Sequence, residues 1–272
     1  MVFSPNCKIN LGLRILRKRP DGYHDLETVF YPLALRDVLE IIPAGSAGTP
    51  DIQYSGLPIP GDPTTNLCLR AWQLLKKDFL EMPPVGAWLH KNIPMGSGLG
   101  GGSSDGAAML QLLDNCCHLG LGKERLLKYA ALLGSDCPFF ILNKPCLGRS
   151  RGEELEPLEL DLSGYSFVLI HPGIPVSTAR AFSQVSPGVP AKPLATIIRQ
   201  PIGTWASELV NDFEVPFLSQ HPEMARIKDK LYTEGALYAS LTGSGSSFFG
   251  IFEKKKVPSL SFEQHFRVSI LE

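Results

Sequence analysis

Residues 94–104 read Pro94, Met95, Gly96, Ser97, Gly98, Leu99, Gly100, Gly101, Gly102, Ser103 and Ser104. Five glycines fall between Gly96 and Gly102, and an apolar helical pattern begins directly after the two serines. Glycines reach positive φ and let the backbone approach a partner closely. Successive N–H groups then form a concave nest for an anion. A helix predicted to start at Ser103 or Ser104 points its unpaired N–H groups and positive dipole end at the same anion. Its core face carries Met109, Leu112, Leu113, Cys116 and Cys117. The segment reads as a phosphate cradle that feeds a helix.

Other readings of the glycines fit less well. Gly96, Gly98 and Gly101 match the bare dinucleotide spacing. That fingerprint also needs a strand directly before the first glycine and an acidic residue at a strand end about 20 residues on. Here Pro94 intervenes, and Glu124 lies in a helical pattern. A Walker A loop requires a lysine after the glycines, and no lysine stands there before Ser103. A flexible linker is not normally followed at once by a periodic helix.

The rest of the chain is consistent with a soluble globular protein with a sizeable core. Its 272 residues suit one large domain or two intimate ones, with 44% apolar and 19% charged residues. A net charge of −1 gives no reason to expect nucleic acid or a membrane surface as partner. No apolar run is long enough for a bilayer, and the first residues lack signal-peptide character, so the expected location is cytoplasmic. The six cysteines form no Cys-x-x-Cys pair and read as free thiols, with Cys116 and Cys117 on a buried helix face.

Cys7 to Leu16 alternates as a strand, with Ile9, Leu11, Leu13 and Ile15 on one face and Lys8, Asn10, Gly12 and Arg14 on the other. A turn at Pro20-Asp21-Gly22 precedes a returning strand over 28–31. Further strands are expected at 38–42, 51–54 and 85–90, and helices at 65–79 and 123–133. Beyond Pro145, strands at 155–162, 167–170, 237–241, 248–252 and 266–271 mix with helices at 205–215 and 223–233. A Pro/Ser/Gly-rich connection covers 183–193. The mixture predicts an α+β second domain, with a boundary near residue 154.

Several residues stand out chemically. Asp136 lies between a glycine stop and an apolar Pro138-Phe139-Phe140 run, where partial desolvation suits a carboxylate that accepts a hydroxyl proton. It also suits an Asp that caps a turn. Lys8 and Asn10 share the polar face of the first strand, which is solvent-exposed if that strand is an edge. Tyr23 and His24 follow the turn and can meet a heterocycle, or stand as hairpin-end residues. Residues 242–247 form a second glycine/serine loop that either backs a phosphate or turns a hairpin.

Taken together these segments resemble one family, the small-molecule kinases of galactose, homoserine, mevalonate and phosphomevalonate (GHMP). The markers are Pro5-Asn6-Cys7-Lys8-Ile9-Asn10-Leu11, the run from Arg19 to Thr28, the glycine segment, Leu133 to Phe140, and Thr242 to Ser247. The Arg19-Pro20-Asp21-Gly22-Tyr23-His24 segment resembles members whose substrate carries a cytidylyl group. The resemblance implies the GHMP-kinase fold, two α/β domains (1–154 and 155–272) with the active site in the cleft between them. It implies transfer of the γ-phosphoryl of ATP to the 2-hydroxyl of a methylerythritol moiety on a cytidine diphosphate, a step in the non-mevalonate route to isoprenoid precursors.

Carried over by motif, Asp136 becomes the general base and Lys8 its cationic neighbour. Asn10 orients the substrate, and Tyr23, His24 and Phe182 meet the cytosine. Thr178 is a substrate contact, residues 94–104 hold the triphosphate, and Asn66 lies near the nucleotide base. Met95 and Ser97 vary from the strictest family pattern without adding charge or removing a glycine. Mg²⁺ is expected with ATP. No carboxylate is an obvious ligand for it, and Ser103 and Ser104 are hydroxyl contacts at most. Competing readings are a kinase of the same superfamily acting on homoserine or mevalonate, and a nucleotide-binding regulator without catalysis.

Overall fold

The structure, a computed structural model, describes residues 1–43 and 50–272. In chain order the strands are β1 (Val2–Phe3), β2 (Asn6–Lys18), β3 (His24–Arg36), β4 (Val38–Pro43), β5 (Asp51–Gly56), β6 (Val85–Lys91), β7 (Cys146–Arg149), β8 (Glu154–Pro157), β9 (Tyr165–His171), β10 (Tyr238–Leu241), β11 (Phe248–Glu253) and β12 (Arg267–Leu271). The helices are α1 (Leu67–Asp78), α2 (Gly101–Cys116), α3 (Gly122–Leu133), α4 (Cys137–Leu142), α5 (Thr178–Ser183), α6 (Leu194–Ile197), α7 (Glu214–Gln220) and α8 (Ala225–Thr233). The chain gathers into two compact units that interleave along the sequence. One takes Met1–Cys7, Ala34–Met95 and Gly100–Lys144; the other takes Lys8–Leu33, Gly96–Leu99 and Pro145–Glu272.

In the first unit the sheet order is β1-β4-β6-β5. β4 runs antiparallel to β6, with Leu39 opposite Leu89, and β5 runs parallel to it. Alternation buries Leu39 and Ile41 of β4 and Val85, Ala87 and Leu89 of β6. The central helix of this unit is α2, buried from Ser104 to Leu110 and again at Leu112 and Leu113. Burying those large side chains is worth about 1.5–3 kcal/mol each. That outweighs the few tenths of a kcal/mol, roughly, forgone because Gly100, at the N-cap, has no side chain to cap with.

The second unit holds two sheets, β10-β11-β9-β12 and β2-β3-β7-β8. Leu13, Ile15, Val168, Ile170, Leu231, Phe248 and Phe252 belong to its core. β11 pairs antiparallel with both β10 and β9, which places the 242–247 loop as the connection between two paired strands.

Several sequence expectations are corrected. The helix after the glycines begins at Gly101, two residues before Ser103, because Gly100 takes the left-handed conformation and opens the helix there. The 205–215 segment is not one helix. A 3₁₀ turn spans Ile202–Ser207, Asn211 makes a parallel bridge to Leu13, and α7 begins only at Glu214. β8 stops at Pro157 instead of reaching Leu162. Pro138-Phe139-Phe140 lies inside a helix, α4. Cys116 and Cys117 are half-buried rather than core. The second face of β2 is not solvent-exposed, since Lys8, Asn10 and Arg14 are 3%, 1% and 8% exposed.

Candidate active site

In the second unit, the buried polar face of β2 is fully partnered. Lys8 Nζ donates to Asn10 Oδ1 at 2.7 Å and lies 5.4 Å from the Phe30 ring centroid. Asn10 Nδ2 donates to Thr28 Oγ1 at 2.9 Å, and that hydroxyl donates to Gly12 O at 2.6 Å. Asn10 Oδ1 also accepts the N–H of Gly243 at 3.0 Å. Asn10 is thereby fixed in rotamer and amide orientation, and its oxygen aims the Lys8 ammonium. Buried cations are held this way only when hydrogen-bonded.

The same network grips the glycine segment. Lys8 N donates to Leu99 O at 2.9 Å, and Ser247 N donates to Ser97 O at 3.1 Å. A Cβ on Gly98 would stand 2.1 Å from Thr242 O, so the two glycine/serine loops pass backbone against backbone. The 242–247 loop therefore turns a hairpin and also clasps the cradle. Asn211 anchors this loop in turn, donating from Nδ2 to Leu241 O and Gly243 O at 2.9 Å each. Gly96 differs from Gly98. Its φ is +64°, and nothing lies within 4 Å of where a Cβ would be.

The residues from 19 to 24 form a self-supporting turn. Arg19 N donates to Tyr23 O at 2.8 Å, and Arg19 Nε donates to Asp21 Oδ2 at 3.0 Å. The hydrogen bond from Arg19 holds the Asp21 carboxyl below the usual carboxylate range. The turn delivers His24 onto Phe182, with ring centroids 5.1 Å apart and planes at 21°. Phe182 meets Phe213 edge-on at 4.9 Å. Tyr23 is 56% exposed and lies beneath the Arg151 guanidinium at 5.1 Å. The stacked pair is thus His24 with Phe182, whereas Tyr23 is paired with Arg151. Thr178 begins α5, with its hydroxyl 3.4 Å from Ser244 Oγ. A hollow of about 180 Å³ adjoins it, lined by Ser177, Arg180, Phe213 and Ser244 among others.

In the first unit, Asp136 is half-buried at the N-cap position of α4. Its side chain makes no capping hydrogen bond. An Asp selected as a cap accepts the N–H of N2 or N3, so capping does not explain this residue. The neighbouring Cys137 thiol is pushed up to about 12, first by burial and then by the negative charge of Asp136. A hydrogen bond from Ser103 and the charge of Arg70 pull it the other way. Ser103, at the start of α2, is thereby brought beside the Asp136–Cys137 step. Ser104 is buried and 2% exposed. Asn66 caps α1, accepting the N–H of Cys68 at 2.9 Å.

The sequence reading missed a buried ionic cluster in this unit. Lys91 Nζ donates to Asp37 and, at 2.6 Å, to Asp105 Oδ2. All three residues are 3% exposed or less. Burial pushes the Asp105 carboxyl up to about 8, against the pull of the Lys91 ammonium and with the push of Asp37. Two sequence signals carried the cluster. Lys91 continues the inward parity of Val85, Ala87 and Leu89, and Asp105 precedes Met109 and Leu112 at helical spacing on the apolar face.

This shift fixes a pH dependence. The folded chain keeps a proton on Asp105 that the unfolded chain releases above a pKa near 3.8. The stabilising contribution is full below that pKa and is lost as pH rises to about 8. Asp105→Asn removes the slope, so its thermal midpoint relative to the parent should climb between pH 5 and pH 8.5. A difference that stays constant across that range would mean the carboxyl is ionised throughout.

Two family profiles match the chain. Residues 66–144 match the GHMP kinases N terminal domain and residues 197–260 the GHMP kinases C terminal. A Bacteroides fragilis protein named 4-diphosphocytidyl-2-C-methyl-D-erythritol kinase is 48% identical over 98% of this chain and 97% of its own length. A crystal structure of a 4-(cytidine 5'-diphospho)-2C-methyl-D-erythritol kinase matches with TM-score 0.78 and 32% identity, covering 92% of this chain and 90% of that one. The Methanococcus jannaschii mevalonate kinase structure matches with TM-score 0.71 at 14% identity, over 99% and 97% of the two chains, a likeness of fold alone.

Proposed function

Because the chain belongs to the GHMP kinases, we propose that it transfers the γ-phosphoryl of ATP to the 2-hydroxyl of 4-diphosphocytidyl-2-C-methyl-D-erythritol. The observation that carries this reading is the stack of His24 on Phe182. The segment that resembles the cytidylyl-substrate kinases sets His24 against a second ring at 5.1 Å, too close for a base between them, so a pyrimidine stacks on an outer face of the pair. The same reading makes the protein a cytoplasmic enzyme of the isoprenoid precursor route, with residues 1–154 and 155–272 as its two family domains.

In this proposal the residues divide the work of phosphoryl transfer, which is chiefly positioning and charge stabilisation. Residues 94–104 supply N–H groups to the phosphates, and Gly96 leaves open space for their approach. Asn66 lies at the nucleotide base. Asp136 takes the proton of the attacking hydroxyl, and Lys8, aimed by Asn10, stabilises charge on the transferring group. Tyr23, His24, Phe182 and Thr178 hold the cytidylyl substrate. Mg²⁺ bound with ATP supplies charge neutralisation across phosphate oxygens. Among the described residues no three His, Cys, Asp or Glu side chains gather as a metal cage. In this reading nucleotide phosphates and water hold most of the ion, and the Ser103 and Ser104 hydroxyls are its protein contacts.

A coupled ATP-consumption assay tests the substrate. Turnover with the cytidylyl-methylerythritol substrate, and none with homoserine or mevalonate, is the expected result. Turnover of either alcohol with the cytidylyl compound inert would overturn it. Tyr23→Ala tests the base pocket. Its exposed ring contributes little to the core, while base–aromatic stacking is worth about 1–3 kcal/mol. KM for the cytidylyl substrate should rise about tenfold with KM for ATP unchanged. An unaltered substrate KM would remove Tyr23 from the pocket.

A further inference from the structure

The glycine segment is tied at both ends to one buried centre. Asp37, immediately before β4, accepts the N–H groups of Asn92 and Ile93 on Oδ1, at 2.6 and 2.8 Å. These are the two residues that lead into Pro94. The other oxygen of Asp37 accepts from Lys91 Nζ, which also donates to Asp105 Oδ2 at 2.6 Å. Asp105 lies in α2 directly after Ser104, where the segment ends. A Cβ on Gly101 would stand 3.4 Å from Lys91 Nζ and 2.8 Å from Ile93 Cγ2, so the ammonium sits close under the first turn of α2. A cation there opposes the positive end of the helix dipole. Asp37 offsets it, and Asp105 accepts from the ammonium through Oδ2. Asp105 Oδ1 is buried without a hydrogen-bond partner. An arrangement with an orphan oxygen and a buried lysine is poor as a purely stabilising device, since apolar side chains of similar volume usually do as well.

We propose that Lys91 and Asp105, joined through Asp37, are positioning residues that fix the separation of the two ends of the 94–104 segment before nucleotide arrives. This rests on the reading of that segment as the ATP cradle. The cluster touches neither substrate; it acts through the backbone it holds. Cutting the link at Asp105 leaves the Lys91–Asp37 pair intact, frees α2 from the strand that leads into the loop, and loosens the cradle. The substrate pocket around His24 and Phe182 does not depend on this link.

The test uses Asp105→Ala, Asp105→Leu and Asp105→Asn in the full chain. Calorimetric ATP binding, KM for each substrate, kcat and thermal midpoint are measured at pH 7. Leu keeps the branched shape of the side chain, with bulkier ends, and removes the tie; Asn keeps an oxygen for Lys91. The Ala and Leu variants should bind ATP about tenfold more weakly, the scale of a small misplacement of binding groups. Their KM for the cytidylyl substrate should stay within about twofold, and Asn should restore ATP affinity to within about threefold of the parent. If Ala fails to fold, Leu decides. A folded Leu variant that binds ATP like the parent, or one in which both KM values move together, overturns the positioning role. A parent that binds no ATP removes the cradle reading itself, and the positioning role with it.

Discussion

Asp136→Asn is expected to slow turnover by about 10²–10⁴-fold, the usual contribution of a positioned general base, while ATP affinity and thermal midpoint stay close to the parent. Asn has the shape of Asp but cannot take the hydroxyl proton. Because the Asp136 side chain makes no capping bond to α4, the exchange sacrifices none. The adjacent thiol does not substitute for the lost base. The Cys137 thiol, pushed up to about 12, stays protonated at neutral pH. The measurement is a single-turnover rate alongside calorimetric ATP binding, so that slow product release does not mask the chemical step. Rates equal to the parent would remove Asp136 from its role. A parent that binds ATP without turning over would favour the regulator reading.

The elements were legible where local pattern decides them. The strand from Cys7 and the strand ending near Lys91 alternate, and α1, α2 and α3 carry their apolar residues at helical spacing. Exposure was not legible, because it depends on what covers a face from far along the chain. The polar residues of β2 alternate as an outer face should, yet Arg14 donates to the carbonyls of Lys192 and Glu208, and Asn10 is met by Thr242 and Gly243. Nothing near residue 10 announces those partners. Residues 205–215 misled for a different reason. Trp205, Leu209 and Phe213 are all buried at a spacing of four, which imitates a helix. The backbone between them pairs with β2 instead, Leu13 N donating to Val210 O at 2.9 Å and Asp212 N to Leu13 O at 2.8 Å. Asn211 also accepts from Phe213 N. Such short polar residues compete with the helical ladder.

The site divides along the same line. Motif residues stand out in the sequence because their order along the chain is their signature. The Lys91 cluster was missed because each of its members looks ordinary alone. Lys91 ends a strand, Asp105 follows a serine, and Asp37 sits between two strands. Only parity and helical spacing betray that two of them face inward, and a charge on an apolar face is the signal to look for.

Gly98→Ala is expected to be severely damaging, and Gly96→Ala much milder, although both glycines have positive φ. The conformational cost alone is about 1–3 kcal/mol at either position. At Gly96 nothing else is added, since the new Cβ meets open space. At Gly98 the Cβ would fall 2.1 Å from Thr242 O and 3.2 Å from Gly245 O. Those are backbone atoms, so no side-chain rotation relieves the overlap. Thr242 cannot retreat cheaply. Its hydroxyl accepts the N–H of Asn10 at 3.0 Å, its N–H bonds Ser247 O at 2.9 Å, and the residue is fully buried. The loops must part, which also breaks the Ser247–Ser97 bond and disturbs the oxygen that aims Lys8. Destabilisation of roughly 3 kcal/mol or more follows, in the range of severe core overpacking with added backbone strain. ATP binding by any surviving folded protein should fall with it. Denaturant midpoints of the two alanine variants, measured side by side, decide the point. Equal losses would show that conformation alone sets the need for glycine at residue 98, and that the two loops do not clasp as described.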